Sequence, residues 1–307
     1  MTPATSQIVL GTASLGLEGG DAGAMALLDR FVALGGRIID TAAIYSDWVP
    51  GETGRSERII GQWLRDRRNR HDLFIITKGA HPPLGNVRKG RLDRAAIEAD
   101  VEASLRRLGI GRIDLYYLHR DDPARPVEDI MTSLAALIAA GKIAAAGVSN
   151  WTVERIAAAR ATGIAPISSS QVHGNVLTNF LSPPDDPTIV RLDDPALADA
   201  RHAGMSLLLY SAQCEGYFAR RADGRPLPSA YRNPDCTAVA DRFTAIAQRL
   251  GADPTTLAVR FLLSYAPELF PVIGPRTVAQ LEQSMLANAA RLDAAVTAEI
   301  AAIAGYA

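Results

Sequence analysis

Ile113-Asp114-Leu115-Tyr116-Tyr117-Leu118-His119 is a short, mainly apolar run that ends in an imidazole, and its layout decides the fold. The same layout occurs twice upstream. Leu73-Phe74-Ile75-Ile76-Thr77 runs into Lys78, and Arg37-Ile38-Ile39 runs into Asp40, with Tyr45 shortly after. Short runs that are apolar on both faces are the mark of buried parallel strands. In a chain that alternates strands with helices, residues just past the strand C-termini gather at one face of the sheet. A carboxylate, a phenol, an ammonium and an imidazole are therefore expected to meet.

Working outward, strand-like segments are predicted at 8–12, 37–41, 73–77, 113–118, 144–148, 167–172, 206–210 and 271–273. Helical patterns follow them at 22–34, 56–67, 94–108, 127–140, 152–161, 195–203, 238–250 and 278–289. Ser56 and Thr152 suit helix N-caps, and Gly35, Gly109, Gly141, Gly163, Gly204 and Gly251 stand where helices hand over to the next segment. Segments 255–264 and 296–303 read as extra helices covering the outside or bottom, and 212–234 as a long loop. The eightfold alternation predicts an α/β fold, a closed (β/α)8 TIM barrel forming one domain over 1–307. An open dinucleotide-binding sheet is disfavoured, because the early glycines Gly11, Gly16, Gly19 and Gly20 never spell G-x-G-x-x-G.

Composition narrows the function. A net charge of -1 gives no electrostatic reason to expect nucleic acid or an anionic membrane as partner. The stretch Met1 to Ser6 has no signal-peptide character and no run approaches a membrane span, so a soluble cytoplasmic chain is expected. In that setting Cys214 and Cys236 are expected as free thiols. Of 32 basic residues only Lys78, Lys89 and Lys142 are lysine. Arginine serves for surface charge, but only an ammonium is a compact point charge with an adjustable pKa, so a lysine at a strand end invites a chemical explanation. The histidines His71, His81, His119, His173 and His202 show no paired ligand spacing, so no metal is expected.

Four stretches carry a resemblance: Asp40-Thr41-Ala42-Ala43-Ile44-Tyr45, Ile76-Thr77-Lys78, Asp114 to His119, and Gly147-Val148-Ser149-Asn150-Trp151. In this order, each at the end of an expected strand, they resemble the aldo-keto reductases over nearly the whole chain. The resemblance implies an oxidoreductase that moves hydride between NADP(H), with NAD(H) less favoured, and an aldehyde, ketone or sugar-like carbonyl. Tyr45 is implied as the general acid, Lys78 as the cation that lowers its pKa, Asp40 as the anchor of Lys78, and His119 as the donor that polarises the carbonyl oxygen.

The resemblance also implies cofactor contacts. Ser149, Asn150 and Gln171 match positions that hold the nicotinamide carboxamide, and Tyr210 the aromatic that stacks on its ring, with Ser211 beside it. Gly274, Arg276, Thr277, Gln280 and Ser284 fall where the adenosine 2'-phosphate and adenine are bound. Gln283 and Ser284 depart from the acidic residue and asparagine common there. Trp48, Trp151 and Tyr217 are expected on loops that wall the substrate site, with His173 nearby, whereas Trp63 reads as core. Two alternatives stay open: a Schiff-base lyase acting through Lys78, and a cofactor-sensing barrel subunit that does no chemistry. Nothing in the sequence indicates an oligomeric state.

Overall fold

A computed structural model describes residues 6–306, and the stretch Met1 to Ser6 considered for a signal lies, except for Ser6, outside them. Eight parallel strands close into one barrel in sequential order. They are β1 (Val9–Gly11), β2 (Ile38–Asp40), β3 (Phe74–Gly79), β4 (Leu115–Leu118), β5 (Ala146–Ser149), β6 (Ile167–His173), β7 (Ser206–Tyr210) and β8 (Leu269–Ile273). The helices are α1 (Gly20–Ala33), α2 (Arg55–Arg67), α3 (Arg94–Leu108), α4 (Val127–Ala139), α5 (Val153–Ala161), α6 (Asp194–Ala203), α7 (Tyr217–Ala222), α8 (Pro234–Arg249), α9 (Pro254–Tyr265), α10 (Val278–Met285) and α11 (Ala294–Ala304).

Most strands carry two apolar faces with two destinations, β5 and β6 being polar or small on the inner one. Val9, Ile38, Ile76, Leu115, Tyr117, Leu208, Phe270 and Val272 fill the barrel interior, while the alternate residues pack under the helices. Side chains on a strand repeat every second residue, so the position two past each interior residue also points inward, one layer higher. That rule stacks Asp40 above Ile38, Lys78 above Ile76, and His119 above Tyr117. Gly147 makes the layering possible, since a Cβ there would sit 2.5 Å from the Tyr117 ring. The filled interior supports the site from beneath.

The helix ring differs from the expected one. α1 through α6 pack pairwise around the barrel, and α9 and α10 complete the ring, with α10 returning to α1. Segment 238–250, predicted as a ring helix, is the outer α8, which packs on α9 and α11, while the supposed extra segment 255–264 is the ring helix α9. The reason lies in their apolar faces. α9 buries Leu257, Ala258, Val259, Phe261, Leu262 and Leu263, on nearly all its sides, whereas α8 buries the single stripe Val239, Ala240, Phe243, Ile246 and Ala247. α11 covers the outside of α8 and α9 as expected.

Local signals also sort by position. Thr152 caps α5 by accepting from the Arg155 N–H, as predicted. Ser56 is not a cap, because α2 begins one residue earlier behind Gly54 in the left-handed region. The Ser56 hydroxyl is buried instead, bonding Thr12 and Thr41 across the β1 and β2 ends. The long segment after β7 carries α7 and two short 3-10 turns and is pinned by the buried Tyr217, Phe218 and Tyr231. Cys214 and Cys236 are buried free thiols. No described helix is long and apolar enough to cross a membrane.

Candidate active site

Lys78 sits at the upper end of the barrel interior, fully buried, and donates to the Asp40 carboxylate at 2.6 Å, the Thr41 carbonyl at 2.9 Å and the Tyr45 hydroxyl at 2.9 Å. Three acceptors use all three ammonium protons. Tyr45 therefore accepts from Lys78, which leaves its own hydroxyl proton free to point at a reacting atom. The ammonium also stands 4.7 Å from the centre of the Tyr45 ring. The second Asp40 oxygen accepts from Gln171 at 3.1 Å, so both oxygens of the buried carboxylate are paired.

Burial pushes the Lys78 amine down, but the charge and hydrogen bonds of Asp40 and Tyr45 outweigh it and leave the pKa above the ordinary lysine value. An amine whose pKa is raised and whose three protons are all bonded is poorly placed to be a Schiff-base nucleophile. For Asp40 burial is the larger influence and raises its pKa against the opposing pull of Lys78. Tyr45 corrects the sequence-based expectation. Burial raises its pKa above the ordinary phenol value, and Lys78 opposes that rise without cancelling it. The phenol thus holds its proton at neutral pH, and the cation acts when negative charge develops on the oxygen.

His119 lies beside this triad, its ring 6.0 Å from that of Tyr45 and edge-on to it. Burial, followed by the Lys78, His81 and Arg120 charges, holds its pKa well below the usual histidine value. It is neutral near pH 7, suited to donate a hydrogen bond and unsuited to act as the acid. Its buried Nδ1 has no partner. His81, which the sequence reading gave no part in the site, stacks edge-on against His119 at 4.7 Å, and its Nδ1 lies 2.6 Å from the Pro82 carbonyl, which only an N–H can satisfy.

A single polar chain links the triad to the ends of β5, β6 and β7. From Gln171 it passes to Ser149, whose hydroxyl donates to the Gln171 carbonyl at 3.0 Å, and to Asn150, whose amide donates to Ser149 at 3.0 Å. The Tyr210 hydroxyl then donates to the Asn150 side-chain oxygen at 2.8 Å. This buried set of amide and hydroxyl groups offers both donors and acceptors, the chemistry a carboxamide needs, so the residues fit a nicotinamide. Ser211 follows Tyr210 in the left-handed region, with its carbonyl accepting from Asn175.

Around the β8 end the expected phosphate residues are present but already engaged. Arg276 pairs with Glu18 at 3.0 Å, and its backbone N–H donates to Gln280. Thr277 caps α10 by accepting from the Gln280 N–H. Gln213, not singled out by the sequence reading, donates to Ser284 at 2.8 Å and accepts from the Gly274 N–H at 3.3 Å, tying the β7 loop to the β8 loop. Gln283 bonds Thr256 on the neighbouring ring helix α9. No pattern in the sequence marks Gln213 or Glu18, whose partners lie far along the chain.

The substrate-wall residues divide. Trp48 is 50% exposed on the loop after Tyr45. Trp151 is buried under Arg155 and lines an outer crevice of about 240 Å³ with α5, α6, Ser170 and Met205. Tyr217 is buried against Phe218 and Tyr231. Both were expected at the mouth, and both are packed away from solvent, Trp151 against α5 and α6 and Tyr217 at the start of α7 among the aromatic side chains of its own loop. Trp63 is core as predicted, its Nε1–H donating to Asp29. His173 is buried at the end of β6, edge-on to Tyr210 at 5.5 Å. Among the described residues no cluster of His, Cys, Asp and Glu could hold a metal ion.

A family model described as the Aldo/keto reductase family matches residues 7–304. Among curated relatives, aldo-keto reductase ausK of Aspergillus calidoustus is 30% identical over 287 residues, covering 88% of this chain and 69% of that protein. The aryl-alcohol dehydrogenase [NADP(+)] of Phanerodontia chrysosporium is 28% identical, covering 89% of this chain and 72% of its own. A crystal structure of the thermostable aldo-keto reductase Tm1743 with the inhibitor epalrestat superposes with a TM-score of 0.74 at 24% identity, covering 97% of this chain and 95% of that one, a likeness of fold.

Proposed function

The chain belongs to the aldo-keto reductase family, an oxidoreductase family using nicotinamide cofactors, and from that premise we propose that it is an NADPH-dependent carbonyl reductase with Tyr45 as its general acid. One observation carries the assignment of roles: all three Lys78 protons are committed, one of them to the Tyr45 oxygen. When bound, the nicotinamide supplies the hydride. The chain's own residues do the rest. Neutral His119 donates to the carbonyl oxygen and orients it, Tyr45 gives that oxygen a proton, and Lys78 stabilises the phenolate left behind. Asp40 keeps the ammonium charged and in place. Ser149, Asn150 and Gln171 hold the carboxamide, Tyr210 faces the ring, and Arg276 with the start of α10 takes the 2'-phosphate.

The substrate is an aldehyde, ketone or sugar-like carbonyl. Aryl carbonyls are the first class to test, since one relative is named for aryl alcohols and exposed Trp48 offers a flat apolar surface on the loop after the acid. The test follows NADPH absorbance with a panel of aryl aldehydes, ketones and sugars for the unaltered chain and for Tyr45→Phe. Loss of the acid is expected to lower kcat about 10²- to 10⁴-fold while NADPH still quenches tryptophan fluorescence. Unchanged turnover in Tyr45→Phe would remove Tyr45 from the mechanism.

A further inference from the structure

The carboxylate of Glu18 is an unexpected neighbour for Arg276. Glu18 belongs to the loop after β1 and Arg276 to the loop after β8, 258 positions apart, yet the Arg276 Nη1–H donates to the Glu18 carboxylate at 3.0 Å. Both side chains remain about half exposed, at 52% for Arg276 and 48% for Glu18. A second cross-link of the same kind, Arg30 to Glu282 at 2.7 Å, ties α1 to α10, so this edge of the barrel is held by acid–base pairs on both sides of the α10 start.

We infer that Glu18 is a specificity-determining residue that weakens the site's preference for a 2'-phosphorylated nucleotide over its 2'-hydroxyl counterpart. The inference rests on the proposed role of Arg276. A phosphate monoester carries a charge of about -1.5 to -2 near neutral pH and seeks a guanidinium in a paired fork of hydrogen bonds. Glu18 already occupies one arm of that fork. A 2'-phosphate must either displace the carboxylate, losing the ion pair, or share the guanidinium with it and place two anions side by side. A ribose 2'-hydroxyl meets neither penalty, because it can donate to the carboxylate. Exposed ion pairs are individually weak, so the effect is a bias of a few-fold and not an on–off choice.

Glu18→Gln keeps the length and hydrogen-bonding capacity of the side chain and removes its charge. Isothermal titration of the full chain with adenosine 2',5'-bisphosphate and, in parallel, adenosine 5'-monophosphate reads the effect without turnover. The variant is expected to bind the bisphosphate about three- to tenfold more tightly and the monophosphate within about twofold of the unaltered chain. The ratio of kcat/KM for NADPH over NADH should rise by a similar factor, and the gain should shrink at high salt as exposed charges are screened. Equal changes for both nucleotides, or none for the bisphosphate, would overturn the inference while leaving the reductase reading intact. An unaltered chain that binds neither nucleotide and oxidises neither NADPH nor NADH would instead remove the reductase reading and this inference together.

Discussion

The two ends of the barrel differ in how often a residue other than glycine takes the left-handed region. At the lower end, where helices return to strands, the left-handed positions are Gly35, Gly109, Gly141, Gly163 and Gly204, with Arg68 the exception. The loops after the strands use glycine too, at Gly16, Gly19, Gly20, Gly51, Gly54, Gly85, Gly216 and Gly224, but there Ser46, Ala80, Asn150, Ser211, Cys214 and Glu215 also hold positive φ while carrying side chains. Such a conformation costs about 1–3 kcal/mol for a residue other than glycine. Where a turn only has to reverse the chain, glycine avoids that cost. Where the turn must also present a group, as Asn150 presents its amide to Ser149 and its oxygen to Tyr210, the side chain is kept and the strain accepted. Lower-end residues should therefore govern stability, and mouth residues rate.

Lys78→Met is the severest challenge to that division, since it should fail on both counts. Without the cation Tyr45 loses its phenolate stabilisation, and kcat should fall about 10²- to 10⁴-fold. The buried Asp40 carboxylate loses its partner, which should cost about 3–5 kcal/mol in denaturant titration. A variant of full stability would mean that Asp40 is held mainly by Gln171.

The pH dependence sharpens the reading of the mouth alone. On the proposed role of Tyr45 its acid form is the active one in reduction, and its pKa is raised, so kcat/KM is expected to fall only as pH climbs through a value above the ordinary phenol pKa of about 10. His119 and His81 are both held below the usual histidine value and stay neutral from about pH 7 upward. The profile should be flat between about pH 7 and pH 9 and then drop about tenfold per unit beyond the raised pKa. A step near pH 7 that vanishes in His119→Phe would show instead that the imidazole delivers the proton.

Gly36→Ala isolates the lower end. A Cβ at Gly36 would lie 2.3 Å from the Phe31 ring, a clash that the buried ring must absorb by moving. Overpacking of this kind costs about 1–3 kcal/mol, and kcat should stay within about twofold, because nothing at the mouth touches this turn. The smallest effect is expected at Arg68, which ends α2 in the left-handed region at φ 52. Arg68→Gly should raise stability by about 0.5–1 kcal/mol in the same titration, with the strain released partly offset by the freer unfolded chain. A loss would show that the Arg68 side chain makes a contact worth more than the strain.

The barrel and the meeting of Asp40, Lys78 and His119 at its mouth were legible because both follow from strand period and order. Runs ending in Asp40, Lys78 and His119 could be aligned without knowing any contact, and the two-residue repeat does the rest. The choice of ring helix was not legible by spacing. α8 and α9 follow β7 in succession, and only the breadth of their apolar faces tells which packs on the sheet. Trp151 and Tyr217 misled because loop membership says which end of the barrel a residue is near but not which way its ring turns. The Tyr45 pKa required a balance between burial and a neighbouring charge, and burial is invisible until the chain is closed. Glu18 and Gln213 depend on loops meeting across most of the chain's length, which no local pattern encodes.

The fate of the lysines has a practical consequence for handling the protein. Of the three, Lys78 is sealed inside the barrel, Lys142 is half-covered and paired with Glu102, and Lys89 stands free on the surface. Amine-directed reagents for dye attachment or immobilisation would find one ready side-chain handle, on the loop after β3, and would spare the buried ammonium while the fold persists. Acylation of Lys78 would then report loss of the closed structure, giving a covalent footprint of unfolding that mass spectrometry can count residue by residue.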